Sequence, residues 1–426
     1  MGPVRVERLG ADGDGIARGP DDIPLFLANT LPGELVQPGV LTRRGDALAA
    51  DEIAILEASP DRVDPPCPHF GPCGGCTLQH WQDEPYAAWK RARAAAAAGL
   101  PIATIAETPA GTRRRMDLAI RRETEAVRIG LHRRRSGDVV DMKSCPILHP
   151  KLFALVQALR PVLLRLEGLR RGGEAFVNLL DSGPDLLLRT DGPLSARDRA
   201  ALAQFAVAQS IPRIYWGRTG ELDIEPAAVL GPAAHAFAGR VSEPPPGAFL
   251  QASREGEQAI VAAVLAALPL RLKGKIVELF AGCGSLTHAL ADRAPVLAYE
   301  GDPAAVAAIR GAHNPRVTAT MRDLARQPLR DADLKSAAAI VLDPPYAGAA
   351  AQMPALAASG VPIVYVSCNP VALARDAKTL LAAGYVPMSA AAIDQFLWST
   401  QVETVVGFAK SSPATGQQHR PASRRV

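Results

Sequence analysis

Cys368 stands in the run Val366-Ser367-Cys368-Asn369-Pro370, at the end of an apolar strand pattern. A thiol in that place is suited to act as a nucleophile, because a thiolate both attacks and leaves readily. Upstream, another strand pattern ends in Asp343-Pro344-Pro345-Tyr346. The prolines remove backbone donors and stiffen the turn, and open α/β sheets bind ligands at such carboxyl ends. Downstream, Gln401-Val402-Glu403-Thr404-Val405 alternates in polarity, so Glu403 can face the same edge. Earlier still, Glu278-Leu279-Phe280-Ala281-Gly282-Cys283-Gly284-Ser285 ends one strand and opens a helix. Gly282 and Gly284 let the backbone turn sharply and approach a ligand closely. The next strand ends in Glu300, where a carboxylate can accept hydrogen bonds from two ribose hydroxyls. Together these residues predict a nucleotide-bearing cofactor. The loop lacks the third glycine of the dinucleotide fingerprint, and without Gly-Lys-Ser/Thr it is no P-loop.

A second chemistry is carried by Cys67, Cys73 and Cys76, with Cys145 far downstream. Four thiolates in one region hold zinc or an iron–sulfur cluster, and spacing does not choose between them. Gly71, Gly74 and Gly75 suit a loop wrapped around such a centre. Nine arginines fall between Arg113 and Arg135, more than solubility requires in a chain of net charge +4. Phosphate contact is the expected use of that stretch.

The elements that must position these groups follow from periodicity. With 426 residues, 48% hydrophobic and 21% charged, the composition is that of a globular protein. No apolar run is long enough to span a membrane, and the N-terminus lacks the apolar core of a secretory signal. A cytoplasmic protein is expected, in which cysteines serve as ligands or nucleophiles rather than disulfides. Residues 1–58 read as short strands with Gly/Asp turns, either a small OB-like β-barrel or an N-terminal hairpin cap. Residues 59–246 read as a central α+β region, with a helix over Trp81–Leu100 and strands over 112–140. Pro244-Pro245-Pro246-Gly247 reads as a hinge. Residues 247–410 alternate helix and buried strand, which predicts an α/β, Rossmann-like unit with a parallel sheet covered on both faces. Residues 411–426 form a polar tail with Arg420, Arg424 and Arg425, expected to be disordered.

In this order, the motifs resemble those of the RNA uracil-5-methyltransferase family, in particular its 23S rRNA branch. The resemblance covers nearly the whole chain. It implies a C-terminal methyltransferase fold using S-adenosyl-L-methionine and a TRAM-like RNA-binding barrel over residues 1–58. Cys67, Cys73, Cys76 and Cys145 match the family's [4Fe-4S] ligands. Gln251, Phe280, Gly282, Gly284, Glu300 and Asp343 match positions that hold the cofactor, with Asp343 orienting cofactor or base. The implied mechanism adds Cys368 to uracil C6, and Glu403 later removes the C5 proton. RNA is the implied partner, with no membrane and no obligate protein partner. The chain departs from the family at Tyr346, where arginine is frequent, and at 397–401, which read LWSTQ where many members carry proline and histidine. Its barrel segment is also short. Three other readings stay open: uridine methylation in tRNA; transfer to an exocyclic base nitrogen, which an Asp-Pro-Pro-Tyr turn also suits; and a non-catalytic RNA-binding assembly factor.

Overall fold

The computed structural model describes residues 1–411; the expected basic tail lies, from residue 412 on, outside the described residues. Eight strands form the sheet that carries the candidate site. Their order is Val317–Met321, Val296–Glu300, Lys275–Leu279, Ala337–Leu342, Ile363–Ser367, Glu403–Lys410, Tyr385–Asp394 and Ile105–Glu107. The first five run parallel. Neighbouring residues along these strands enter opposite cores. Ile276, Ala339, Val341 and Val364 pack with helices Arg254–Ala267, Thr287–Ala291 and Pro303–Gly311. Val277, Ile340, Ile363 and Tyr365 pack with Asp83–Ala98, Met353–Ser359 and Pro370–Ala382. Burial on both faces is why these strands read as unbroken apolar runs.

The expected parallel sheet is corrected at one side. Glu403–Lys410 runs antiparallel to both Ile363–Ser367 and Tyr385–Asp394. Only antiparallel strands can be joined by so short a connection as the one preceding Glu403. The reversal carries the first residue of that strand, rather than its last, to the edge where the parallel strands end. Ile105–Glu107 closes the sheet alongside Tyr385–Asp394. Residues well before the methyltransferase-like stretch are thus built into its sheet.

Elsewhere, a seven-stranded sheet runs Val139–Asp141, Val127–His132, Arg115–Arg122, Gly172–Leu180, Gly183–Thr190, Arg213–Arg218, Ile224–Val229. Helices Pro150–Arg165 and Ala196–Ala208 share its core through Leu152, Leu159, Leu202 and Phe205. The N-terminal strands form a three-stranded and a five-stranded sheet around Val6, Leu25, Leu27 and Val36, so this stretch is more than a single hairpin cap. The Pro244–Gly247 stretch is held in place instead of hinging. Arg213, paired with Asp185 at 2.6 Å, also donates to the Pro244 carbonyl at 2.6 Å. Among the described residues, no helix is long and apolar enough to cross a membrane.

Candidate active site

The strand Ile363–Ser367 is wholly buried and ends in a tight turn. The Ser367 hydroxyl accepts from the Asn369 amide and donates to the Asn369 carbonyl, both at 3.1 Å. Asn369 caps the following helix by accepting from the Val371 amide at 3.0 Å, and its Nδ2 donates to the Tyr346 carbonyl at 2.9 Å. Cys368, half-buried, is therefore fixed between a buried strand and a helix N-terminus, beside the Asp343–Tyr346 turn. Ser367 pairs with Thr404, which sets Glu403 at the same edge.

Glu403 is buried. Its Oε1 accepts from Gln395 Nε2 at 2.9 Å, whereas its Oε2 has no partner among the described residues. Leaving such an oxygen unpaired costs roughly 1–3 kcal/mol, which a bound group can recover. Gln395 Nε2 also donates to Gln251 Oε1 at 2.6 Å, and Gln251 Nε2 donates to Asp343 Oδ2 at 3.1 Å. A chain of two amides thus joins two acids. Burial pushes the Asp343 carboxyl up to about 7, with the Gln251 hydrogen bond opposing it. Burial, then the Asp343 charge, pushes Glu403 up to about 8. Burial, then Glu403 and Asp343, pushes the Cys368 thiol up to about 12.

Further along the same edge, Phe280 holds a positive φ of 61° and leads into Gly282 (φ 55°) and Gly284 (φ 101°). A left-handed backbone at these positions is what glycine permits without strain. The Gly282 amide donates to Glu300 Oε2 at 2.8 Å, and Glu300 Oε1 accepts from the Gly301 and Asp302 amides at 2.7 and 2.9 Å. A Cβ added at Gly282 would meet open space, as a ligand cradle requires. Glu278, fully buried beneath this loop, has an unpartnered Oε2, and burial raises its carboxyl to about 8.

The four cluster-type cysteines are free thiols lining one pocket, walled by Phe70, Leu131, Val140, Met142 and Ile147. Backbone amides point at the sulfurs: that of Gly75 at Cys73, and those of Ile147 and Leu148 at Cys145. Among the described residues, no three His, Cys, Asp or Glu side chains are grouped closely enough to hold a single metal ion. Gly74 has no room for a side chain, since a Cβ would stand 2.9 Å from the His132 carbonyl oxygen, and one at Gly75 would displace the Leu131 methyl 2.6 Å away. Past Cys76, the Thr77 and Leu78 amides both donate to the Trp398 carbonyl, at 2.8 and 2.9 Å. This ties the cysteine loop to the segment that leads into Glu403.

The nine arginines divide by partner. Arg114 is buried and donates to Glu257 at 2.8 Å and to the Gln251 carbonyl at 3.1 Å. Arg122 serves the Leu166 and Leu169 carbonyls at 2.8 and 3.0 Å. Arg134 and Arg135 both pair with Asp14. A groove of about 620 Å³ beside the cysteine loop is lined by Arg113, Arg115 and Arg133 among others. At its neighbouring edge the Arg115 guanidinium lies 5.0 Å over the Phe249 ring, which is 60% exposed.

The structure therefore gathers Gln251, Asp343, Cys368 and Glu403 into one cluster, with Phe280, Gly282, Gly284 and Glu300 on adjoining strand ends. Sequence reasoning missed Gln395 and Glu278. Gln395 carries no motif signal; Glu278 opens the glycine loop and was legible as an acid inside an apolar strand.

The tRNA (uracil-5-)-methyltransferase family model matches residues 245–411, which hold all of these edge residues. A Brucella melitensis protein described only as an RNA methyltransferase is 38% identical over 96% of this chain and 98% of its own length. The 23S rRNA (uracil(1939)-C(5))-methyltransferase RlmD of Pectobacterium carotovorum is 34% identical, over 95% of this chain and 93% of its own. The chain belongs to the RNA (uracil-5-)methyltransferase family. Membership brings S-adenosyl-L-methionine as methyl donor, and it decides for carbon 5 over an exocyclic nitrogen and for an enzyme over a non-catalytic factor. Among solved structures, the Pyrococcus abyssi tRNA (uracil-54, C5)-methyltransferase in complex with S-adenosyl-L-homocysteine shares the fold. Its TM-score is 0.72 at 20% identity, covering 96% of this chain and all of that one. For this RNA (uracil-5-)methyltransferase, the strand reversal at Glu403 is the feature that sets an acid beside the thiol.

Proposed function

We propose that the chain methylates C5 of a uridine in 23S rRNA, with Cys368 as nucleophile and Glu403 as base. The observation that carries this reading is the neighbourhood of the Cys368 thiol and the unpartnered, buried Oε2 of Glu403 at one sheet edge. Uracil C5 is a weak nucleophile until a group adds at C6. Cys368 Sγ bonds to C6, and the ring's π electrons move to an enolate across C5, C4 and O4. As that bond forms the thiol proton passes to the neighbouring Asp343 carboxylate. Until then two acids and burial hold it in place, while the helix N-terminus at Pro370 favours the thiolate. When bound, S-adenosyl-L-methionine supplies an electrophilic methyl group for C5. Glu403 Oε2 then takes the C5 proton, the electrons of that C–H bond restore the C5–C6 double bond, and the C6–S bond breaks with its electrons returning to Cys368 Sγ.

The residues for the donor are Phe280, Gly282, Gly284 and Glu300 at the glycine loop, with Gln251 and Asp343 between donor and base. Open space at Gly282 fits such a ligand. Cys67, Cys73, Cys76 and Cys145 would hold a [4Fe-4S] cluster, since the four thiols line one pocket and backbone amides are aimed at the Cys73 and Cys145 sulfurs. It supplies a rigid core for the loop; neither bond-making step needs an electron. The barrel over residues 1–58 and the central region to residue 246 bind RNA, with phosphates along the arginine groove. The target base leaves its stack at a cost of a few kcal/mol, offset by those contacts. The 23S rRNA assignment rests on the RlmD relative, and the ribosomal substrate puts the reaction in the cytoplasm. Mass mapping of ribosomal and transfer RNA from cells with and without the gene tests it. A missing methyl on one 23S uridine is expected; a loss confined to transfer RNA would move the substrate there.

A further inference from the structure

We infer that Gln395 is a positioning residue that presents Glu403 to the substrate with one oxygen bonded and the other free. The inference rests on Glu403 acting as the base. Its geometry is set by a donor whose direction cannot be reversed. The Ala252 amide can only donate, and it donates to Gln395 Oε1 at 2.9 Å. That fixes which end of the Gln395 amide is oxygen, so Nε2 must face Glu403 Oε1 (2.9 Å) and Gln251 Oε1 (2.6 Å). Gln251, obliged to accept there, turns its own Nε2 to Asp343 Oδ2 at 3.1 Å. One backbone amide therefore polarises a chain that ends with an N–H on each acid.

Both glutamines are buried, so no water competes for these bonds. The Gln395 side chain uses both its N–H groups and its oxygen. Removing it leaves Glu403 free to rotate and without the one donor it has among the described residues. An N–H donated to a carboxylate favours the charged form, which the base needs. The other groups facing Glu403 are Asp343, whose charge disfavours its own, and the Cys368 thiol. Asp394, next to Gln395, points elsewhere, to Lys90 Nζ at 2.5 Å and the Tyr86 hydroxyl. Gln395 is thus the described group that opposes the repulsion around Glu403.

The test uses the full enzyme and an RNA fragment bearing the target uridine. Gln395→Met keeps the length and removes the donor. The expected result is a fall in kcat of about tenfold with KM for RNA unchanged, and an acid limb of the pH–rate profile moved up by about one unit. A covalent protein–RNA species should accumulate at neutral pH on denaturing gels. Gln395→Glu, which donates only when protonated, should give partial rescue below the new limb. The same changes made on Glu403→Gln keep the outcomes apart. If Glu403→Gln traps the adduct and Gln395→Met adds nothing further, both readings stand. If Glu403→Gln traps it while Gln395→Met leaves the wild-type pH profile in place, the positioning role alone is overturned. If Glu403→Gln turns over normally, the base assignment is lost and this inference with it. Thermal melting and cofactor binding of each variant separate a folding defect from these effects.

Discussion

Thiols occur in two pockets of this protein under similar burial and with different neighbours. Burial pushes both Cys76 and Cys368 up to about 12. Around Cys76 the next influences are Gln79 and the other cysteines, Cys145, Cys73 and Cys67. Around Cys368 they are two carboxyls, Glu403 and Asp343, with a helix N-terminus behind. A buried group of thiols with no acid among them is stabilised only by gaining cations, as a metal cluster provides. A single thiol among raised-pKa acids sits instead where protons can be exchanged on demand. What surrounds the sulfur, rather than how deeply it lies, would separate the proposed ligands from the proposed nucleophile.

That contrast makes the largest expected effect the loss of one sulfur. Cys368→Ala should reduce methylation by at least about 10³-fold while the visible absorbance of anaerobically purified protein and cofactor binding persist. Normal turnover in that variant would falsify covalent catalysis. Glu403→Gln should stall after methyl transfer and trap a protein–RNA adduct that survives denaturing gels; an inactive variant with no adduct would place the defect earlier. Cys145→Ser should show the opposite pattern to Cys368→Ala. Its absorbance should vanish and its melting temperature drop, with activity reduced through poorer RNA binding. A colourless, zinc-rich wild-type protein would reverse the assignment of that pocket. Acidity should act on one pocket only. The Glu403 carboxyl, pushed up to about 8, is the active base only when deprotonated, so turnover should fall below that pH and adduct should build up there. The smallest effect belongs to the groove. Arg133→Ala should raise KM for RNA several-fold and lower the salt slope of binding by about 1, leaving kcat alone. A kcat loss there would mean that the arginine supports the fold.

Much of the site was readable from residue types at strand ends. Cys368, Asp343, Glu300 and the glycine loop each follow an apolar run, and the carboxyl edge of an α/β sheet gathers whatever ends its strands. The gathering of Cys67, Cys73, Cys76 and Cys145 into one pocket was readable too, while the use of that pocket is a proposal. The arginines were read less well. Composition implied a phosphate surface, yet Arg114 is buried against Glu257 and Arg134 and Arg135 are paired with Asp14. Charge in a sequence does not reveal its partner when the partner lies about a hundred residues away.

Local periodicity, a property of neighbouring residues, was enough to specify the strands, the helices and the groups that end them. The direction of Glu403–Lys410 was not local: it depends on which strand it pairs with, and an antiparallel partner carries the first residue, not the last, to the ligand edge. Nor was the bond between Gln251 and Gln395, 144 positions apart. Only packing of the whole chain brings such amides within reach, because their pairing energy exists solely once water has been excluded from between them.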